Sequence, residues 1–449
     1  MKEYIEKNRD RFMSELFGLL EIPSVSALCE HKNDMEKCAR AIAGLLSEAG
    51  ADKADVYKTE GHPVVYGCRI IDDSLPTVLV YGHYDVQPAE PLDLWKTPPF
   101  EPEIRDGAIY ARGSSDDKGQ IFMHMKAFEY LVREKKQRHN IKFIFEGEEE
   151  VGSAHLAKWV GEHRDMLACD VVLVSDTTMI SEDVPSVSCG MRGLSYMKVD
   201  VTGPDRDLHS GHYGGAILNP ANVLCKMIGS LIDEDGRITI KGFYDDVAEL
   251  SSSDREMLGH APFDSKEFEH SVGVDAVSGE KGYTSLERIG IRPCLDVNGI
   301  WSGDTGEEST KTIIPSRAHA KISMRLVPNQ KADVIAGLFE KHFKAIAPEG
   351  VSVKVSSIHS GNWFVVPISS SLYGAASKAI GEVYGTDTVP NRGGGSIPIL
   401  ADMHEILGAD LLLMGFGLER DTIHSPNESF LLSQFFKGME SIALFYKYF

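Results

Sequence analysis

Acidic and imidazole side chains follow four short apolar runs of the sequence, at the point where each run ends. The runs are 77–82, 141–146, 171–175 and 411–416, and the side chains that follow them are His83, Asp85, Glu148, Glu149, Glu150, Asp176 and His424. Open α/β sheets bind their ligands at the carboxyl ends of the strands. We therefore expect these side chains to meet at one edge of a sheet.

Each of these features has an ordinary explanation when it is taken alone. Most histidines are structural, a run of three glutamates is usually a solvated surface, and Asp116-Asp117 would suit the start of the following helix. Together, however, several carboxylates at one edge would repel each other unless cations compensate them. Carboxylate oxygens with two imidazoles and no thiolate favour zinc, manganese or cobalt. The set therefore predicts a site for divalent metal.

The spacing of the acidic residues also suggests a division of roles. His83 and Asp85 are two apart on a predicted strand and point to the same side, so Asp85 can accept a hydrogen bond from His83 and orient its ring. The adjacent residues Glu149 and Glu150 point in different directions, so that one can bind metal while the other remains a base. A metal-activated water molecule beside a free carboxylate is a hydrolytic nucleophile. The residues alone thus predict a metal-dependent hydrolase.

The elements that must position these residues alternate along the chain. Apolar residues at helical spacing predict helices at 2–20, 34–49, 118–135, 153–165, 221–234, 331–345, 371–384 and 429–447. The continuous apolar runs predict strands buried on both faces, whereas alternation at 194–203 and 319–328 predicts strands with one exposed face. The fold class is therefore α/β: a doubly wound, mostly parallel sheet built from 1–192 and 364–449, with an α+β domain inserted at 193–363.

The composition argues against several classes of protein. Lys and Arg number 46 against 67 Asp and Glu, a net charge of −21, and no basic block indicates a nucleic-acid partner. We expect no membrane segment, since no apolar stretch is long enough, and the charged N-terminal residues are not typical of a signal peptide. The seven cysteines are scattered, as in a reduced, cytoplasmic protein. The polar stretch 245–290 predicts surface loops.

Several segments of the chain match, in order, the motifs of one family. They are YGHYDVQP (81–88), ARGSSDDKGQ (111–120), EGEEEVGS (146–153), SDTT (175–178), LHSGHYGG (208–215), MRLVP (324–328) and IHSPNE (423–428). With these motifs the chain resembles the co-catalytic zinc metallopeptidases, which include carnosinase, cytosolic non-specific dipeptidase, aminoacylase, acetylornithine deacetylase and succinyl-diaminopimelate desuccinylase. The Asp-Asp-Lys-Gly element and MRLVP most resemble the dipeptidase branch.

The resemblance implies a site for two divalent metal ions, with zinc expected and manganese or cobalt as alternatives. It assigns one ion to His83 and Asp176, and the other to Glu150 and His424, with Asp116 bridging both. It makes Glu149 the general base and later the general acid, and it gives Asp85 the role of orienting His83. Glu148 would be structural, and Asp117 would start a helix rather than bind metal.

The resemblance also implies roles for residues of the inserted domain and of one loop. The inserted domain would be a lid and would join two subunits in a homodimer, so that His209 reaches the substrate carbonyl oxygen across the dimer. Arg325 would bind the terminal carboxylate of the substrate, which suits a planar bidentate donor. The other residues expected at the substrate are Thr312, His359, Gly395 and Ser396. The loop NRGGGSIP (391–398) departs from the carnosinase-like version, where a hydroxyl is expected in place of Gly395.

The resulting hypothesis is a metallopeptidase that hydrolyses the amide bond of dipeptides or short peptides with a free C-terminal carboxylate. An N-acyl-amino-acid amidohydrolase would use the same chemistry on an acyl group in place of the first residue, and the sequence leaves this alternative open. A catalytically inactive metal-binding scaffold is the alternative of another class. Against the scaffold, every ligand position and Glu149 carry the expected residue.

Overall fold

The computed structural model describes residues 1–249, 251–259, 261–306 and 308–449. The chain divides into two compact units, which are described separately. The first unit comprises 1–190, 366–391 and 399–449, and the second comprises 191–365 and 392–398. The assignment of 1–192 and 364–449 to a catalytic domain, and of 193–363 to a lid and dimerisation domain, stays a prediction.

Helices and strands alternate along much of the chain. The strands are β1 (Lys53–Tyr57), β2 (Val64–Arg69), β3 (Thr77–His83), β4 (Glu103–Arg105), β5 (Ala108–Tyr110), β6 (Asn140–Glu146), β7 (Val171–Val174), β8 (Ser186–Met191), β9 (Gly193–Thr202), β10 (Leu208–His209), β11 (Cys294–Ser302), β12 (Ile313–Ile314), β13 (Arg317–Leu326), β14 (Ser352–Gly361), β15 (Phe364–Val365), β16 (Val389–Gly393), β17 (Asp410–Leu413) and β18 (Ser429–Leu431). The helices are α1 (Lys2–Leu20), α2 (Lys32–Ala49), α3 (Lys118–Arg133), α4 (Leu156–Glu162), α5 (Arg164–Leu167), α6 (Ser210–Tyr213), α7 (Pro220–Gly229), α8 (Ser252–Leu258), α9 (Ser265–Val272), α10 (Ser285–Gly290), α11 (Ala332–Ile346), α12 (Ser371–Tyr384), α13 (Pro398–Leu407) and α14 (Leu432–Tyr448). Among the described residues, no helix combines the length and apolar character needed to cross a bilayer.

The first unit is built on a mostly parallel sheet with the strand order β1-β2-β6-β3-β7-β17-β8. β3 pairs in parallel with β6 and β7, and β17 pairs in parallel with β7. β1 and β2 extend one side of the sheet in antiparallel orientation. The central strands are the continuous apolar runs of the sequence, because a strand covered on both faces buries every side chain. The predicted α/β fold class with a mostly parallel sheet is confirmed.

Helix α3 is buried from Lys118 to Leu131 although it carries charged residues. The Nζ atom of Lys118 donates hydrogen bonds to the backbone oxygens of Leu19 and Ile22 at the end of α1, at 3.1 and 2.7 Å. Further along the helix, Nζ of Lys126 lies 3.0 Å from a carboxylate oxygen of the equally buried Glu129. A buried charge is costly unless it is paired, so these contacts allow α3 to lie in the core and fix the position of the loop before it.

The second unit contains an antiparallel sheet with the strand order β11-β13-β9-β14. Alternate residues of β9 and β13 are buried, and α7 and α11 pack on these strands. The shared core includes Val199, Val201, Ile322, Phe339 and Phe343. The alternating patterns of the sequence thus predicted these strands correctly. The stretch 245–290, predicted as loops, contains α8, α9 and α10, whereas Leu250 and His260 lie outside the described residues.

Candidate metal centre

Three neighbouring parallel strands end at the same edge of the sheet in the first unit. β3 ends at His83, which pairs with Glu146, the last residue of β6. β7 pairs in parallel with β3 and ends at Val174, two residues before Asp176. The loops that follow these strands therefore begin side by side, at the edge where open α/β sheets bind ligands.

Asp116 lies between two sets of side chains that can hold metal ions. One set is His83, Asp116 and Asp176, the other is Asp116, Glu150 and His424, and the ligand atoms of each set lie within 4.8 Å of one another. Oδ1 of Asp116 is 3.1 Å from Nε2 of His83, whereas Oδ2 is 2.8 Å from Nε2 of His424. The structure thus brings all the predicted ligands together, with one oxygen of Asp116 facing each set.

Asp85 joins the loop after β3 to the loop after β6. Its two carboxylate oxygens accept hydrogen bonds from the backbone N–H groups of Glu149 and Glu150, at 3.2 and 3.1 Å. Nδ1 of His83 lies 3.1 Å from the backbone oxygen of Asp85 and 3.4 Å from its Oδ1. The contact with the imidazole agrees with the spacing of the two residues. The hydrogen bonds that Asp85 accepts from the backbone of Glu149 and Glu150 could not be predicted from the sequence.

Two acidic residues beside the ligands make other contacts. Both carboxylate oxygens of Glu148 lie 3.0 Å from Nδ1 of His155. Asp117 precedes α3, as expected of a residue at a helix start, but its Oδ2 accepts a hydrogen bond from the backbone N–H of His83 at 3.2 Å instead of capping the helix. A Cβ atom at Gly82 would lie 2.6 Å from this same oxygen. Glycine at position 82 therefore allows α3 to approach β3.

The charges of the protein alone leave the carboxylates of this edge poorly compensated. Burial, together with the carboxylate of Asp116, raises the pKa of Asp176 to about 7, although a nearby imidazole opposes the rise. Burial also raises the pKa of Glu149 well above its usual range. Hydrogen bonds to Asp116 and Glu150 raise the pKa of His424 to about 10. Divalent cations would stabilise the ionised carboxylates, and the oxygen and imidazole donors fit two such ions.

Glu428 is a candidate positioning residue that the sequence analysis did not single out. It is fully buried, and its carboxylate accepts hydrogen bonds from the backbone N–H groups of Gly113, Ser115 and Asp116, at 3.0, 3.0 and 3.1 Å. Nη1 of Arg112 supplies the opposite charge at 2.8 Å. Since His424 precedes Glu428 by four residues, one carboxylate joins the two loops that carry Asp116 and His424. The motifs contained both residues of the ion pair, but only the fold reveals that they touch.

Three of the remaining predicted site residues lie in the second unit: His209 ends β10, Thr312 directly precedes β12, and His359 lies on β14. Ser210, which follows His209, donates its backbone N–H to the backbone oxygen of Thr312 at 3.0 Å, so His209 and Thr312 are close together. The ring of His209 is exposed and stacks on His212, with 4.5 Å between ring centroids. His359 lies on β14, which is separated from β13 by β9.

The other three predicted residues form a separate group in the second unit. Nη1 of Arg325 donates a hydrogen bond to Oγ of Ser396 at 2.9 Å, and this hydroxyl donates to the backbone oxygen of Arg192 at 2.5 Å. Nε of Arg192 donates to the backbone oxygen of Gly394, next to Gly395, at 3.1 Å. Arg192 is therefore a further contact of the glycine-rich loop that the sequence analysis missed.

A sheet edge with two imidazole–carboxylate sets around one shared aspartate, and a further glutamate beside them, defines a hydrolase of the dinuclear-metal class. The chain matches the model of the peptidase family M20/M25/M40 over residues 79–448. It therefore belongs to this family. The resemblance stated from the motifs and the enzyme class, a metallopeptidase, are confirmed.

Individual relatives agree with this assignment over nearly the whole chain. The chain is 31% identical to the Cys-Gly metallodipeptidase dug1 of Schizosaccharomyces pombe, over 98% of this chain and 95% of the relative. It is 31% identical to the human Beta-Ala-His dipeptidase, over 99% of this chain and 91% of the relative. Among solved structures, the M20 family metallo-carboxypeptidase Sso-CP2 from Sulfolobus solfataricus is similar with a TM-score of 0.88 and 31% identity, over 97% of this chain and 98% of the other.

We predict that Glu428→Gln weakens metal binding roughly 10- to 100-fold, as loss of an outer contact to a ligand typically does. The amide would place an NH₂ group against backbone donors of the Asp116 loop and would leave Arg112 without its charge partner. Zinc affinity is measured by competition with a chromophoric chelator, and a thermal melt checks that the variant is folded. Glu101→Gln, an exposed glutamate of the same unit, is the matched control. Wild-type affinity in folded Glu428→Gln would contradict the positioning role.

Proposed function

We propose that this chain hydrolyses the amide bond of dipeptides or very short peptides with a free C-terminal carboxylate. The observation that carries the proposal is Asp116, shared between two sets of metal ligands, with the carboxylate of Glu149 nearby and outside both sets. The substrate class is supported by the relatives, which are named a Cys-Gly metallodipeptidase and a Beta-Ala-His dipeptidase.

The two alternatives are less well supported. An N-acyl-amino-acid amidohydrolase would use the same metal ligands, but neither curated relative described above is named as one. An inactive scaffold would need metal ligands without a base, whereas Asp85 holds the backbone of Glu149 beside the ligand sets by a 3.2 Å hydrogen bond. A peptidase therefore accounts for more of the site than either alternative.

Two divalent ions, with zinc the first choice, are proposed to be held by His83, Asp116, Asp176, Glu150 and His424. Bound there, they would polarise the scissile carbonyl and lower the pKa of a water molecule. Glu149 would take a proton from the attacking water and return it to the leaving amine. Burial raises the pKa of Glu149 above its usual range, which favours its action as a proton acceptor and donor.

We further propose substrate contacts in the second unit. Arg325 would bind the terminal carboxylate, with its guanidinium oriented by the hydroxyl of Ser396 and the adjacent Gly395 leaving room at the loop. Nδ1 of His209 accepts a hydrogen bond from the backbone N–H of Gly211 at 3.0 Å. In the neutral ring the proton is then on Nε2, where it can be donated to a substrate oxygen. Thr312 and His359 would complete the pocket.

The proposal also includes the assembly and location of the protein. We propose a homodimer joined through residues 193–363, which also serve as a lid, on the ground of the resemblance to the family, and a cytoplasmic location on the ground of the scattered cysteines. The exposed ring of His209 is consistent with a partner across an interface. Sedimentation of the metal-loaded protein tests the dimer directly, since a monomer at micromolar concentration would contradict it.

A hydrolysis panel tests the proposed function as a whole. Metal-reconstituted protein is assayed on dipeptides beside matched N-acetyl amino acids, each with and without a chelator. We expect the dipeptides to be cleaved. The chelator should abolish this cleavage and added zinc should restore it, because the attacking water is activated by the bound cations. Cleavage of the acylated compounds alone would indicate the amidohydrolase, and no cleavage of either class would indicate the scaffold.

Glu149→Gln should lower kcat roughly 10²- to 10⁴-fold, the usual contribution of a general base, while the metal content remains that of the wild type. Glu148→Gln is the matched control, because its carboxylate contacts His155 instead. The readouts are dipeptide turnover and metal content by mass spectrometry. If Glu148→Gln were the inactive variant and Glu149→Gln turned over normally, the base would be assigned to the wrong glutamate.

Arg325→Ala should raise KM about 10- to 100-fold for a dipeptide with a free carboxylate, which is the size of a lost charged hydrogen bond. The matching dipeptide amide should be affected little, since it offers no carboxylate. Lys321→Ala, an exposed cation four residues earlier on β13, is the control. Equal losses for the acid and the amide would show that Arg325 acts through the loop and not on the substrate carboxylate.

A further inference from the structure

A cavity of about 430 Å³ lies in the first unit, next to the segments that carry two of the proposed metal ligands. Thr178, two residues after Asp176, lines one side of the cavity, and Ile423, directly before His424, lines another. The volume falls within the range of small-molecule sites. A group bound in this cavity would therefore lie beside the segments that carry Asp176 and His424.

The walls of the cavity are held by hydrogen bonds within the first unit. The backbone N–H of Met179 donates to the backbone oxygen of Gly417 at 2.8 Å, which joins the segment after Asp176 to the segment before His424. Asp421, fully buried, accepts hydrogen bonds from the backbone N–H of Leu418 at 2.8 Å and from the hydroxyl of Ser115 at 3.1 Å. The turn that begins at residue 419 is thus tied to the loop that carries Asp116, and the cavity is preformed.

The lining of the cavity combines an apolar surface with one carboxylate. Met179, Ile180, Leu418 and Ile423 supply the apolar part, and Glu419 is the charged residue of the lining. Glu419 is exposed at the mouth of the cavity and has no ion-pair partner among the described residues. An uncompensated carboxylate at a partly apolar concave surface attracts a cationic group of a ligand.

We propose that this cavity receives the N-terminal residue of the substrate and that Glu419 binds an ammonium group there. The inference rests on the proposed function and sharpens it, because a dipeptide carries an ammonium group that an N-acyl amino acid lacks. The ammonium is the α-amino group of the first residue. The apolar lining accommodates the carbon atoms around the charge, and Glu419 is a specificity residue that favours dipeptides over acylated amino acids.

The test compares substrates that differ only by an ammonium group. Metal-loaded wild type, Glu419→Gln and the control Glu6→Gln, an exposed glutamate on α1, are assayed on Ala-Gly beside propionyl-glycine and on Lys-Gly beside norleucyl-glycine. We expect Glu419→Gln to lower kcat/KM for Ala-Gly at least about tenfold, the effect of one lost charged hydrogen bond, and to leave propionyl-glycine within about twofold. If propionyl-glycine is cleaved too slowly to measure, its inhibition constant against Ala-Gly replaces kcat/KM.

Each outcome of this comparison has one interpretation. A loss confined to Lys-Gly, with Ala-Gly and norleucyl-glycine unchanged, would show that Glu419 contacts a side-chain amine and would overturn its role in binding the α-amino group. Equal losses for Ala-Gly and propionyl-glycine, or no loss for any dipeptide, would overturn the role of Glu419 while the proposed function stands. A wild-type enzyme that cleaves acylated compounds and no dipeptide would overturn both.

Discussion

The hydrogen bonds that Glu428 accepts from residues 113–116 are the interaction on which the candidate metal centre depends. Asp116 can face two ligand sets only if its loop is fixed, and this loop is otherwise an irregular turn before α3. The buried pair of Glu428 and Arg112, with 2.8 Å between their charged atoms, provides that constraint. A buried carboxylate that lost its partners would cost several kcal/mol, so the loop and the segment of His424 have one favourable arrangement.

Parallel strands place their loops at one sheet edge, and the carboxylates gathered there repel one another. Backbone N–H groups compensate part of the negative charge: Asp85 accepts two hydrogen bonds from them and Glu428 accepts three. Burial, together with the carboxylate of Asp116, raises the pKa of Asp176 to about 7. The site is therefore organised to gain stability from bound cations, which is typical of functional sites with shifted pKa values.

Much of the fold and of the ligand set could be predicted from the sequence, because the signals are local. Apolar residues at helical spacing identified α1 and α12 at their observed bounds, and continuous apolar runs identified the strands β3, β6 and β7. His83 and Asp176 follow such runs directly, and the motifs supplied Asp116, Glu150 and His424. The helices within 245–290 were missed because they are short and the stretch is polar, so each helix has too few apolar residues for the helical spacing to stand out.

The sequence by itself determined which residue types meet at the end of each strand, the class of chemistry they allow and the family to which the chain belongs. Only the tertiary structure decided that Asp85 holds the turn of Glu149, that Glu428 fixes the loop of Asp116 and that Glu419 lines a cavity. The physical reason is distance along the chain. Glu428 and its hydrogen-bond donors are more than three hundred residues apart in the chain. A hydrogen bond or a cavity between such distant segments produces no repeating pattern in the sequence.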